Sequence, residues 1–262
     1  MCNIISKKSY KLENANFELI KFLLDTVRVA QEEATENKEF KNFHLFSEKN
    51  KYIMNVFRHY NRILDFNDDI KKVEIFLRRF PNSKFLKEND IDELTYIKYH
   101  IEVLFHKIHT ILEIKKLMIN EVYEIGLTEK NCSWENLKKE RKLKNNIPMI
   151  ILQNYFKTFK DIIVARHYNT HRGYYYDEKE IDIGAALNIY KLSEELNIEI
   201  GEDLKRIMPK FYLKYKLKKF KNEKVVYVKG AIEATTYYKN EFVKYILKDY
   251  QNKIENWKND ST

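Results

Sequence analysis

Glycine and proline are scarce in this chain, five and three among 262 residues, roughly 3% together against about 12% in average usage. That scarcity disfavours turn-dense sandwiches and barrels and Gly-rich phosphate loops, and leaves long helices as the default. Only two cysteines occur, Cys2 and Cys132, too few for a disulfide framework or a four-cysteine zinc site, as suits a reducing cytosol. No stretch approaches the roughly 18 apolar residues that a membrane span requires, and the start, MCNIISKKSYK, lacks the apolar core of a secretory signal. The expectation is a cytoplasmic protein with no membrane partner. What the chain does have is 44% hydrophobic, 14% aromatic and 33% charged residues, enough apolar material for one large or two small cores.

Apolar positions recur at helical spacing. Asn14 or Asn16 can cap a first helix running to about Lys38, with Phe17, Ile20, Leu23, Leu24, Val27 and Ala30 on one stripe. A second run from Tyr52 to Leu77 meets the breaker Pro81-Asn82-Ser83, which sets a boundary near residue 85. Asp90 and Asp92 open the most strongly patterned helix. Its face comprises Leu94, Ile97, Ile101, Leu104, Phe105, Ile108, Ile111, Leu112, Lys115, Met118 and Val122, up to Gly126. Ser133 with Asn136 begins a charged segment, and Pro148 suits the first turn of a helix that runs through Ile150, Tyr155, Phe159 and Ile162 to a stop at Gly173. Asp177 to Ile198 forms another, with Ile183, Ala186, Leu187, Ile189, Tyr190 and Leu196 on its apolar side. The expected fold is mainly α: an N-terminal helical region over 1–85, an antiparallel bundle over 86–200 and a basic, aromatic extension over 201–262.

Charge is concentrated in that extension. Residues 205–224 hold nine Lys or Arg against one acidic residue, Glu223, so this segment carries +8 of a net +9. Phe211, Leu213, Tyr215 and Leu217 alternate with Tyr212, Lys214, Lys216 and Lys218, a pattern that also suits a hairpin turning at residues 221–224 before a final helix over Tyr237–Trp257. Lys210, Lys214, Lys216, Lys218 and Lys219 can track a phosphate backbone while Phe211, Tyr212 and Tyr215 stack on unpaired bases, which makes RNA the expected partner. A solvated lysine-rich surface is the bland alternative. An anionic membrane would use similar charge, but no lipidation signal accompanies it.

Arg166-His167-Tyr168-Asn169-Thr170-His171 ends an apolar helix with an arginine and a histidine five residues apart. This segment resembles the signature of the HEPN superfamily, helical bundles with an R-x-x-x-x-H motif and commonly a polar residue after the Arg, here His167. The resemblance covers roughly residues 90–200. It implies a HEPN-type bundle, a metal-independent endoribonuclease without cofactor, a homodimer with a composite cleft, and a toxin or phage-defence setting with an antitoxin or other protein partner. One branch of the family has a Tyr two residues after the His, where a nucleotidyltransferase antitoxin modifies it. Here that position is Gly173.

RNA cleavage by the adjacent 2′-hydroxyl requires a base, an acid for the leaving oxygen and a cation on the phosphorane. Arg166 suits the last role through its planar, permanently charged fork. His171 titrates near neutral pH and, in the last helical turn, feels a negative dipole end that favours the imidazolium, so general acid is its expected role. His167 can hold phosphate or ribose, and Asn169 can orient Arg166. Positions five apart on an ideal helix differ by about 140°, so a shared site needs a distorted helix end or a second copy. Tyr174, Tyr175 and Tyr176 offer further stacking surfaces.

Other motifs are weaker. His167 and His171, like His106 and His109, have the spacing of zinc ligands but lack the Glu of H-E-x-x-H and companion cysteines, so no metal site is expected. His100, His106 and His109 suit structural roles on their helix. A second RHYN at 58–61 is followed by Arg62 and Ile63, without the catalytic His. A catalytically silent HEPN-like module that binds RNA or nucleotides, or scaffolds a partner, is the alternative function.

Overall fold

The computed structural model describes residues 2–36, 42–81, 83–172 and 177–259, and ten α-helices with no strand occur among them. They are α1 (Cys2–Glu36), α2 (Glu48–Arg78), α3 (Lys84–Glu88), α4 (Glu93–Val122), α5 (Trp134–Lys139), α6 (Ile147–Thr158), α7 (Lys160–Arg172), α8 (Glu178–Leu196), α9 (Glu202–Ile207) and α10 (Lys210–Asn259). Side-chain caps start many of them. Ser47 Oγ accepts from Asn50 N, Asp92 Oδ1 from Thr95 N, Ser133 Oγ from Asn136 N, Asn146 Oδ1 from Met149 N, and Asp177 Oδ1 from Lys179 N and Glu180 N. Each satisfies donors that a helix start leaves open. Asn197 closes α8 in the left-handed conformation at φ 51°.

The chain divides into two compact units, each assembled from separated stretches. Unit 1 holds residues 1–68, 108–160 and 233–262; unit 2 holds 69–107 and 161–232. In unit 1, Leu23, Val27, Val56, Ile63, Ile111, Met118, Leu152, Tyr155, Phe242, Leu247 and Tyr250 are buried. Polar cross-links fix the register of its helices. Asn16 Nδ2 donates to Asn240 O at 3.0 Å, Asn50 Nδ2 to Glu33 Oε2 at 2.9 Å and the Tyr155 hydroxyl to Ile108 O at 2.8 Å. In unit 2, Ile70, Val73, Leu77, Ile97, Leu104, Ile183, Ala186, Leu213, Phe220 and Val228 are buried. There the Tyr190 hydroxyl donates to Met208 O at 2.9 Å, and Lys98–Glu180, Lys221–Glu93 and Lys224–Asp177 form ion pairs.

Four local expectations are corrected. Asn16 does not cap α1, which begins fourteen residues earlier at Cys2; its amide is buried against α10. The single helix expected from Pro148 to Gly173 is broken at Phe159, whose φ of −104° and ψ of 16° separate α6 from α7. The stripe proposed for α8 is split: Ile183, Ala186 and Tyr190 are buried, whereas Ile189 and Leu196 are exposed. The hairpin is absent, because residues 210–259 form one helix, α10, about 75 Å long at 1.5 Å per residue. Leu213, Phe220, Val228 and Ala231 recur at helical spacing and are all buried, so a helix gives them one shared face that a strand would divide between two.

Candidate functional site

α7 runs without interruption from Lys160 to Arg172, so its backbone carries no distortion that would turn position 171 toward Arg166. On a regular helix the two positions lie about 140° apart. The Arg166 side chain is half-buried, and its Nε is buried with no hydrogen-bond partner among the described residues. A buried cationic donor without an acceptor is costly, and an incoming anion would relieve it. His167 is exposed, its ring 6.4 Å from that of Tyr168 at 70°. The side chains of Asn169 and His171, and all of Tyr174–Tyr176, lie outside the described residues.

The first RHYN occupies unit 1 and has a different environment. The Arg58 guanidinium lies 5.2 Å from the centre of the Phe43 ring. His59 Nδ1 is buried without a partner among the described residues, and burial, with Arg62 and Arg58 nearby, pulls its imidazole down to about 4. A neutral, half-buried imidazole of this kind is a packing group. His100 has a packing role as well: its ring stacks on Phe76 at 5.1 Å and meets Tyr96 edge-on at 4.4 Å.

The basic tract spans the end of α9 and the first turns of α10 and belongs to unit 2, as does Arg166. Its helical geometry sorts the residues by face. Leu213 and Phe220 point inward; on the solvent side Phe211, Tyr215 and Val226 are 76%, 58% and 68% exposed. Lys218, Lys219 and Asn222 lie exposed between them at three- and four-residue intervals. Exposed large apolar groups interleaved with cations are what a partner with flat rings and phosphates can use.

The individual lysines differ. Lys210 pairs with Glu194 at 2.5 Å and lies over the Tyr190 ring. Lys216 lies 5.3 Å from the Tyr212 ring centre, and Tyr212 stacks on Tyr215 with centroids 6.2 Å apart and planes 16° from parallel. Lys214, Lys218 and Lys219 are exposed and make no ion pair among the described residues. Lys221 and Lys224 instead brace α10 through Glu93 and Asp177, each at 2.6 Å. Burial pushes the Asp177 carboxyl up, but the hydrogen bond and charge of Lys224 and the bonds from its capped amides leave it below its ordinary range.

Two depressions follow this face. A slot of about 210 Å³ is lined by Ile183 and Asp182 of α8 with Tyr212, Tyr215, Lys216 and Lys219 of α10, among others. A wider groove of about 590 Å³ is lined by Tyr215, Lys218, Lys219, Asn222, Glu223 and Val226. The contribution of Asp182 to the slot was not legible in sequence. The interval 211–215–218–222–226 would have exposed the stripe, once the tract was taken as helical.

No family model, curated protein or solved structure matches the chain. The chemistry of the site therefore stands on its own residues. Among the described residues, no group of three or more His, Cys, Asp or Glu is placed to hold a metal ion, and no helix is long and apolar enough to cross a membrane. Cys132 is a buried, free thiol whose burial pushes it up to about 11, which makes it a poor nucleophile.

Proposed function

We propose that the protein is a HEPN-like endoribonuclease that binds single-stranded RNA and cleaves it without a metal ion. One observation carries this: within unit 2, α7 holds an arginine with an unsatisfied buried Nε while α10 presents unneutralised lysines and stacked tyrosines to solvent. The first needs an anion and the second suits a strand with exposed bases. In the reaction, the 2′-hydroxyl passes its proton to solvent water as it attacks the adjacent phosphate. The 5′-oxygen leaves with a proton supplied by His171, and Arg166 holds the phosphorane oxygens. The products are a 2′,3′-cyclic phosphate and a 5′-hydroxyl. His167 assists phosphate or ribose binding, and Asn169 orients Arg166.

Positions 166 and 171 lie about 140° apart on a regular helix such as α7, which favours an active homodimer in which a second copy supplies one of the pair. The exposed apolar line Ile181, Ile189, Leu192 and Leu196 on α8 supports self-association. A toxin or phage-defence role in the cytoplasm, restrained by an antitoxin or other protein partner, fits a nuclease of this class.

A second reading is a silent HEPN-like module that binds RNA or nucleotides or scaffolds a partner. It is favoured by the same undistorted α7, which separates the two motif residues within one chain. Purified protein incubated with mixed cellular RNA in EDTA distinguishes the two. A nuclease produces cuts that Arg166→Ala and His171→Ala abolish, whereas a module retains RNA and cuts nothing.

A further inference from the structure

We propose that the slot between α8 and α10 receives one unpaired guanine base of the bound RNA; this rests on the RNA-binding reading above. A nucleobase has two apolar faces and a polar edge. The slot has apolar walls in buried Ile183 and Phe220 and in the Tyr212 and Tyr215 rings, with a charged rim. Its volume of about 210 Å³ is enough for a single flat ring system. Base-on-tyrosine stacking is tolerant of sequence and supplies affinity for any base.

Preference comes from the rim. Lys179 and Glu223 satisfy each other at 2.7 Å, so neither is committed to a ligand. Lys216 and Lys219 are cations suited to the flanking phosphates. The remaining charged group is Asp182, exposed on α8 and without an ion pair or hydrogen bond among the described residues. A carboxylate accepts hydrogen bonds and donates none. Guanine offers it two adjacent donors, N1–H and the N2 amine. Adenine and cytosine each present one amine beside a ring nitrogen acceptor, and the N3–H of uracil is flanked by two carbonyls. An Asp182 carboxylate therefore favours guanine and is repelled in part by the other three.

The test is fluorescence anisotropy with the full chain and labelled 2′-O-methyl decamers, which lack the attacking hydroxyl. Each decamer is uridine throughout except for one central G, A or C, with an all-uridine control. The G strand binds about 5- to 10-fold more tightly than the others, and Asp182→Asn removes that difference by weakening the G strand relative to the all-uridine control. Lys214→Glu with Lys218→Glu weakens all four strands alike. Equal binding of the four strands by the parent protein, or a G preference that survives Asp182→Asn, overturns the guanine slot while leaving RNA binding in place. Failure of the parent protein to bind any strand refutes the RNA reading itself.

Discussion

The Lys115 ammonium lies 4.2 Å from the centre of the Tyr155 ring, on the buried face of α4. It is wholly enclosed, its Nζ has no hydrogen-bond acceptor among the described residues, and the Phe242 ring lies 5.4 Å away. The ring faces offer partial compensation for lost water. Burial, with the Lys239 charge adding to it, pulls Lys115 down to about 7.

Stability therefore depends on pH through this group. Between about pH 7 and the ordinary lysine range, the unfolded chain holds a proton that the folded chain lacks, so stability rises with pH, by at most about 1.4 kcal/mol per unit. Below pH 7 both states hold the proton and this slope vanishes. Lys115→Met raises stability at pH 7 by roughly 1–3 kcal/mol and flattens the profile. Urea unfolding at pH 6, 7, 8 and 9 measures both; a less stable variant with an unchanged slope contradicts the assignment.

His59 acts on the acid side. Its imidazole sits at about 4 in the folded chain against 6.5 when free, so the unfolded state gains a proton first as pH falls through that window. Stability drops by on the order of 1–2 kcal/mol after solvent screening. His59→Gln shrinks the loss between pH 6.5 and 4, as read by circular dichroism at each pH.

The Tyr155 hydroxyl is the only polar part of a fully buried ring, and it donates to Ile108 O at 2.8 Å. Tyr155→Phe keeps the ring beneath Lys115 and removes this bond. It costs roughly 1–2 kcal/mol, seen as a lower urea midpoint with an unchanged m value.

How much of this was readable in advance varied with distance along the chain. Every position assigned to the α4 stripe, Lys115 included, is buried, because a repeat of three and four over thirty residues leaves one solution. The α10 tract misled because the alternation from Phe211 to Lys218 is short. Leu213, Leu217 and Phe220 also fit a helix, and residues 221–224 contain none of the Gly-bearing pairs that a tight hairpin needs. Asn16 looked like a cap because its type favours that position; its partner, Asn240, is 224 residues away. Asp182 joins the α10 slot through tertiary packing, which no local spacing encodes. Arg166 was identified from its motif, whereas its unsatisfied Nε is visible only in the fold.

Salt should govern RNA binding. Lys214, Lys218 and Lys219 engaging about three phosphates of a single strand give a log–log slope near −2. Replacing all three with Gln weakens binding and brings the slope toward zero. Anisotropy across a roughly sixfold range of salt, from about 50 to about 300 mM, reads this; an unchanged slope removes α10 from the interface.

RNA cleavage in EDTA, followed for the parent protein beside Arg166→Ala and His171→Ala, tests the central claim most directly. The account predicts cuts ending in 2′,3′-cyclic phosphate for the parent and none for either variant, with activity restored when the two inactive variants are mixed, since a mixed dimer keeps one intact composite site. Cleavage that persists in both variants, or a parent protein that binds RNA and leaves it whole, contradicts it.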